Sequence, residues 1–247
     1  MRGFDPAHSF GHEVSRTYDT EPRGDEAETV DFLAGIADGR DVLELAVGTG
    51  RVALPLAATG LRVDGIELSR DMVDRMREKP GGADIEVTLG DMSRVDQGRR
   101  YGLVYLVFNT IGNLLTQDDQ VRCFENAARH LDDKGVFVLE CRVPVASSRP
   151  QNQFVDVVDV TAGAVRLDAH VYDPVTQLLD VQHMTIDSDG VHLSPISLRQ
   201  AAPPEFDLMA RIAGLRLRDR WGGWQREPFT ADSRRHVSVY ERATQRR

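Results

Sequence analysis

Val42-Leu43-Glu44-Leu45-Ala46-Val47, followed by Gly48-Thr49-Gly50, reads as an apolar strand, interrupted by one acid, that runs into a glycine-rich turn. Arg51 to Thr59 then reads as a helix that Gly60 ends, with Pro55 near the first turn, where a missing N–H costs least. Glycines between a strand and a helix let the backbone approach a ligand closely, and the helix N-terminus adds partial positive charge. The loop alone does not name that ligand. Gly48 to Ala53 also satisfies the dinucleotide pattern G-x-G-x-x-A.

Working outward, the same alternation continues on both sides. Asp25 to Asp38 carries Val30, Leu33, Ala34 and Ala37 at helical spacing, and Gly39 stops it. Leu61 to Leu68 is a second strand, and Ser69 caps a helix with Met72, Val73 and Met76. Ile85 to Leu89 and Leu103 to Phe108 are further strands. Thr116-Gln117-Asp118-Asp119 resembles a capping box before a helix carrying Val121, Phe124, Ala128 and Leu131; Lys134-Gly135 breaks it, and Val136 to Leu139 is a fifth strand. Strands separated by helices of this length imply right-handed parallel crossovers and a three-layer α/β sheet.

Past Pro144 the texture changes to short β-like runs from Phe154 to Leu198, broken by turns at Ala162-Gly163, Asp173-Pro174 and Asp189-Gly190. This reads as an antiparallel insertion, not a second folding domain. Phe206, Met209 and Ala213 mark another helix, stopped by Gly214. Leu215 to Arg220 and His236 to Tyr240 are two last strands whose short link suits antiparallel pairing, so the sheet is expected to end with a reversed strand.

Composition narrows the class. The 247 residues can bury one sizeable core, and 41% hydrophobic with 28% charged residues fits a folded soluble chain. No apolar run approaches the ~20 residues of a membrane helix. The N-terminus, with Asp5, His8, His12 and Glu13, lacks a signal-peptide core, so a cytoplasmic location is expected. A net charge of −9 argues against a broad nucleic-acid surface. Cys123 and Cys141 lack metal-ligand spacing and read as buried thiols, and no metal is expected.

Three acids separate the readings of the loop. Glu44 precedes it, and a buried acid late in a strand is costly without partners. Glu67 ends the second strand 19 residues beyond Gly48, where a carboxylate can accept both hydroxyls of a ribose. Gly90-Asp91-Met92 ends the third, where an Asp can accept from an adenine amino group with Met92 against the ring.

From about Val42 to Glu140 these residues resemble the class I S-adenosylmethionine-dependent methyltransferases, and more loosely so to the last strand. In that family the loop is an acid followed by three alternate glycines; here Ala46 stands at the first, with Gly48 and Gly50 at the others. The resemblance implies a Rossmann-like fold with a reversed last strand, and S-adenosylmethionine as cofactor. It maps the ribose acid onto Glu67, with Leu68 and Met72 beside it, and the adenine acid onto Asp91, with Gly90 and Met92. The cofactor-facing end of the fourth strand becomes Phe108-Asn109-Thr110, and Tyr18, before the first helix, is the aromatic that closes over the methionine end.

The implied organisation is one domain over residues 1–247, with 1–24 as a lid segment and 146–200 as a β-rich insertion over the substrate. The family's Asn/Asp-Pro-Pro-aromatic signature for nucleobase or glutamine nitrogens is absent after the fourth strand. The expectation is therefore methyl transfer to N or O of a small metabolite, such as a natural product or amino sugar, with no nucleic-acid or membrane partner. No catalytic base is assigned: His170, His183 and His192 lie in the insertion without metal spacing, and Trp221 and Trp224 read equally as pocket or packing residues. An NAD(P)-dependent oxidoreductase and a non-catalytic cofactor-binding regulator are the rivals. Oligomeric state stays open.

Overall fold

The computed structural model describes residues 9–20, 23–144 and 152–243. At its centre β1 (Val42–Leu45) pairs in parallel with β2 (Val63–Glu67) on one side and β4 (Tyr101–Leu106) on the other, with Val42 opposite both Val63 and Leu103. Every residue of these three strands is buried, as expected of parallel strands covered on both faces. β3 (Glu86–Leu89) flanks β2, and β5 (Leu131–Arg142) flanks β4. With β10 (Leu215–Trp221) and β11 (Arg235–Arg242) the order is β10-β11-β5-β4-β1-β2-β3.

Two layers of helix cover this sheet, and strand alternation sorts the core between them. Leu43, Leu45, Val104, Leu106, Phe137 and Leu139 face α5 (Gln117–His130) and α6 (Pro203–Ile212), where Phe124 meets Phe137 edge-on at 5.2 Å and stacks with Phe206 at 6.1 Å. Val42, Leu103, Tyr105, Val136 and Val138 face the layer of α2 (Glu26–Ala37), α3 (Ala53–Ala58) and Met76 of α4 (Arg70–Arg77). Both caps read in the sequence form: Ser69 Oγ accepts from Met72 N–H and Thr116 Oγ1 from Asp119 N–H. Trp224 is buried against Phe32 at 5.3 Å, so it packs the core. Both cysteines are buried and free.

β11 runs antiparallel to β5 (Val239 opposite Val138) and to β10 (Leu217 opposite Tyr240). The last strand is thus reversed as expected. It lies between β5 and β10, however, and does not form the edge. Leu131, placed on the helix in the sequence, is instead extended and pairs with Tyr101; β5 begins there and carries Lys134-Gly135 within it. β4 stops at Leu106, not Phe108, because Phe108 and Asn109 take φ values of 61° and 58°, which no strand accommodates.

The runs after Pro144 are longer than the sequence suggested. β6 (Gln153–Val160), β7 (Ala164–Asp173), β8 (Leu178–Asp187) and β9 (Gly190–Arg199) form a four-stranded antiparallel meander joined at the three expected turns. Polar residues inside each run shorten it to the eye, yet pairing is continuous from Ala164–Asp187 to Asp173–Leu178. A further helix absent from the sequence reading, α1 (His12–Thr17), lies in the N-terminal segment. Residues 1–8, 21–22 and 146–151 of the expected lid and insertion lie outside the described residues. Among the described residues no helix is long and apolar enough to cross a membrane.

Candidate functional site

Strand order reverses at β1: the chain leaves it towards β2 and β3 and returns on its other side through β4 and β5. In open α/β sheets the crevice outside the strand ends at such a point is where ligands bind. The loop after β1 occupies it, with Glu67, Gly90, Phe108 and Glu140 at or just beyond the ends of β2 to β5.

The loop is held by Val47 N–H on Ile66 O and Gly50 N–H on Val47 O, both 3.0 Å. Its two glycines serve different ends. Gly50, at φ 76°, has no room for a side chain: a Cβ there would lie 2.7 Å from Met76 Cγ and 2.8 Å from Leu54 Cγ. Gly48, at φ 58°, faces empty space, with nothing within 4 Å of where a Cβ would stand. Ala46 takes φ 59°, a left-handed conformation that costs an L-residue about 1–2 kcal/mol relative to glycine.

Glu67 is buried, and its two oxygens accept from Gly48 N–H and Ser69 N–H, each at 2.8 Å. Burial raises its pKa, and these backbone donors oppose the rise. The carboxyl therefore ties the loop to the start of α4. Leu68 beside it is half exposed. Glu44 is also buried; it accepts from Tyr105 OH at 2.7 Å and interacts with Ala53 N–H at the start of α3. Burial pushes it up to about 8 against the pull of Tyr105 and Arg51. Glu44 thus acts partly as a cap on the start of α3.

The N-terminal segment packs onto this edge. Asp19 accepts from Thr49 Oγ1 at 2.7 Å and pairs with Lys79 at 2.7 Å, while Lys79 Nζ also donates to Thr49 O. Ser69 Oγ donates to Phe10 O at 2.6 Å. Tyr18 follows α1; burial raises its phenol, with Arg23 and Arg51 opposing, so these groups share one neighbourhood with Glu67. Two guanidiniums lie over the Phe108 ring, Arg23 at 4.7 Å and Arg51 at 5.0 Å from its centroid. Phe108 N–H donates to the buried Glu140 carboxylate, and Asn109 Oδ1 accepts from Cys141 and from Arg142 N–H.

On the β3 side, Asp91 Oδ1 accepts from Ser93 N–H at 2.8 Å, and Oδ2 lies 3.3 Å from Arg94 Nε. Met92 and Met72 are buried, Met92 within the α5 layer, where its carbonyl takes Asn126 Nδ2. Neither side chain lies open at the edge, unlike Leu68 and Phe108. Sequence reasoning missed Tyr105, Glu140, Lys79, Asp19 as a loop ligand and the Arg23–Phe108–Arg51 cluster. Only Glu140, an acid late in an apolar strand like Glu44, carried a local signal.

This edge suits the cofactor the resemblance implies: space in front of Gly48, a carboxylate fixed at the end of β2, a half-exposed apolar residue beside it, and the buried acid Glu44 behind the loop. Residues 42–135 match the family described as a methyltransferase domain. The chain is 32% identical over 219 residues to the cypemycin N-terminal methyltransferase of a Streptomyces species, covering 83% of this chain and 84% of that protein. It is 30% identical over 143 residues to the dTDP-3-amino-3,6-dideoxy-alpha-D-glucopyranose N,N-dimethyltransferase of Streptomyces fradiae, covering 55% of each. Among solved structures, the CcbJ methyltransferase of Streptomyces caelestis superposes with a TM-score of 0.91 at 38% identity, covering 98% of this chain and 100% of that one.

Proposed function

The chain belongs to the class I S-adenosylmethionine-dependent methyltransferases, and from that premise we propose that it methylates an amine nitrogen of a small metabolite. S-adenosylmethionine supplies an electrophilic methyl group whose leaving group is already in place. What the protein contributes is alignment and exclusion of water, with a base only where the acceptor carries a proton that must leave first.

The cofactor-binding roles rest on the geometry above. Glu67 keeps lone pairs beyond the two that Gly48 and Ser69 engage, enough to accept two ribose hydroxyls. Leu68 offers an apolar face beside it, and Asp91 an acceptor for the adenine amino group in competition with Arg94. Gly48 permits close backbone approach, and α1 with Tyr18 closes the loop side. Ala46, Gly50, Met72, Gly90, Met92 and Asn109 support these from behind.

The observation that carries nitrogen over oxygen is how the acids of this edge are used. Glu44, Glu67 and Glu140 are each engaged with protein donors. A neutral amine needs only placement; a hydroxyl needs more. The two curated relatives named above, an N-terminal methyltransferase and an amino-sugar N,N-dimethyltransferase, support the same atom.

We assign the acceptor's cover to the antiparallel sheet. Its β9 end is fastened to α5 and to the turn after β4: Gln120 Nε2 donates to Ile111 O and Arg199 O, Gln120 Oε1 accepts from Arg199 Nη1, and Gly112 leaves only 3.3 Å between a would-be Cβ and Arg199 O. Incubation with S-adenosylmethionine and a panel of amines and phenols tests the assignment. Methylated amines are expected; transfer confined to phenols would overturn the nitrogen reading.

A further inference from the structure

The antiparallel sheet β6 to β9 has two unlike faces. Residues opposite one another in its register share a face, so Val157, Leu167, Met184 and Leu193 form one row across the four strands. Val160, Val165, Ile186 and Val191 form another on the same side. On the other side the corresponding rows are Asp156, Asp168, His183 and Ser194, then Asp159, Arg166, Thr185 and His192. Over these rows one face is apolar and uncharged, and the other is polar.

An antiparallel sheet ordinarily turns its apolar face to a core and its polar face to water. Here the apolar face is open. Val157, Val160, Val191 and Leu193 are each more than half exposed, and no residue of the two apolar rows joins either hydrophobic cluster of the core. The polar side of β9 also carries Leu198, whose Cβ would lie 3.4 Å from a Cβ on Gly112 in the turn after β4. That side therefore meets the candidate site's edge, and the apolar face turns away from it. Four strands about 4.8 Å apart, apolar over about 24 Å of their length, give the face roughly 450 Å² in projection. Exposed apolar patches of this size mark interaction sites.

We propose that this face packs against the same face of a second copy of the chain, about a two-fold axis lying across the strands. A two-fold contact sets one patch against itself, which an uncharged apolar face meets without like-charge repulsion. Side-chain relief makes the accessible area larger than the projection, so two such faces together exceed the ~1,000 Å² that a specific interface needs. The axis direction keeps the acidic turn between β8 and β9, with Asp187 and Asp189, at opposite ends of the pair. That same turn opposes an anionic membrane surface, which basic residues around an apolar patch attract. Strand addition at the open edges is opposed as well: β6 has a bulge between Val157 and Asp159, and Pro195 removes an N–H from β9. Nothing in the proposal depends on the methyl-donor reading of the loop.

Sedimentation velocity of the full chain across the micromolar range tests it. Wild type is expected to form a dimer. Leu193→Asp puts an unpaired charge into the covered face of both copies and should weaken association about a hundredfold or more. Ser194→Asp adds the same charge one residue along, on the polar side, and should leave the dimer intact. Both residues are exposed, so neither change threatens the fold. A wild type that stays monomeric, a dimer that Leu193→Asp leaves intact, or an equal loss in both variants would overturn the proposal. So would a monomer whose methyl transfer falls in Leu193→Asp, since the face would then belong to the acceptor.

Discussion

Ala46 holds a left-handed conformation that favours glycine, and the loop tolerates one methyl group at a cost. Glycine there removes that strain but adds freedom to the unfolded chain, worth about 0.4–1 kcal/mol the other way. Ala46→Gly should thus stabilise the protein by about 0.5 kcal/mol in urea unfolding, given the 1–2 kcal/mol of strain. A loss of stability would mean that the methyl packs usefully against the α5 layer. Glu44 is the second telling residue. Its pKa of about 8 comes from burial, so near neutral pH the carboxyl holds a proton when no ligand is bound. A cationic cofactor beside it favours the anion. Affinity for S-adenosylmethionine should then rise with pH up to about 8 and level off above, with a proton released on binding below that point. Glu44→Gln should flatten the profile, which titration in buffers of differing ionisation heat would show. The folding contribution has the opposite slope: a raised carboxyl pKa stabilises least at high pH, losing its part as pH climbs from the ordinary carboxylate range through 8.

At the scale of elements, α1 is where sequence and structure part most. Its six residues have weak helical periodicity, and they are fastened by side chains distant in the chain: Asp19 to Thr49 and Lys79, Ser69 to the carbonyl of Phe10. No local pattern announces such contacts. Thr49→Val removes one of them without changing charge, at a residue that is itself buried. The expected result is faster amide exchange across residues 12–17 and several-fold weaker cofactor binding, with the central strands unchanged. Unaltered exchange in α1 would show that the Asp19–Thr49 bond does not hold it. The parallel strands were legible for the opposite reason. β1 and β4 are buried on both faces and so read as apolar runs, broken in β1 only by Glu44, while β2 was placed by the alternation around it, and Ser69 and Thr116 announce α4 and α5 by capping chemistry that is local. The meander β6 to β9 was legible in its turns but not its lengths, because its strands carry polar residues on half-exposed faces.

For the whole molecule, the sheet order β10-β11-β5-β4-β1-β2-β3 brings residues from five strand ends to one edge. The acids at the ends of β1, β2 and β3 could be picked from the sequence because each sits at a strand end that the alternation locates. Tyr105 could not be, and Glu140 offered only its place late in an apolar strand, since their partners, Glu44 and the Phe108 N–H, lie one strand away in space and 61 and 32 residues away in sequence. The account depends most on Glu67, which both ties Gly48 to α4 and offers the ribose acceptor. Calorimetric titration with S-adenosylhomocysteine, alongside thermal unfolding to verify the fold, compares wild type, Glu67→Gln and Glu67→Ala. The account predicts roughly micromolar binding to wild type, an intermediate loss in Glu67→Gln, and a loss of about a hundredfold or more in a folded Glu67→Ala, as removal of two charge-assisted hydrogen bonds requires. Undiminished binding in Glu67→Ala would contradict it.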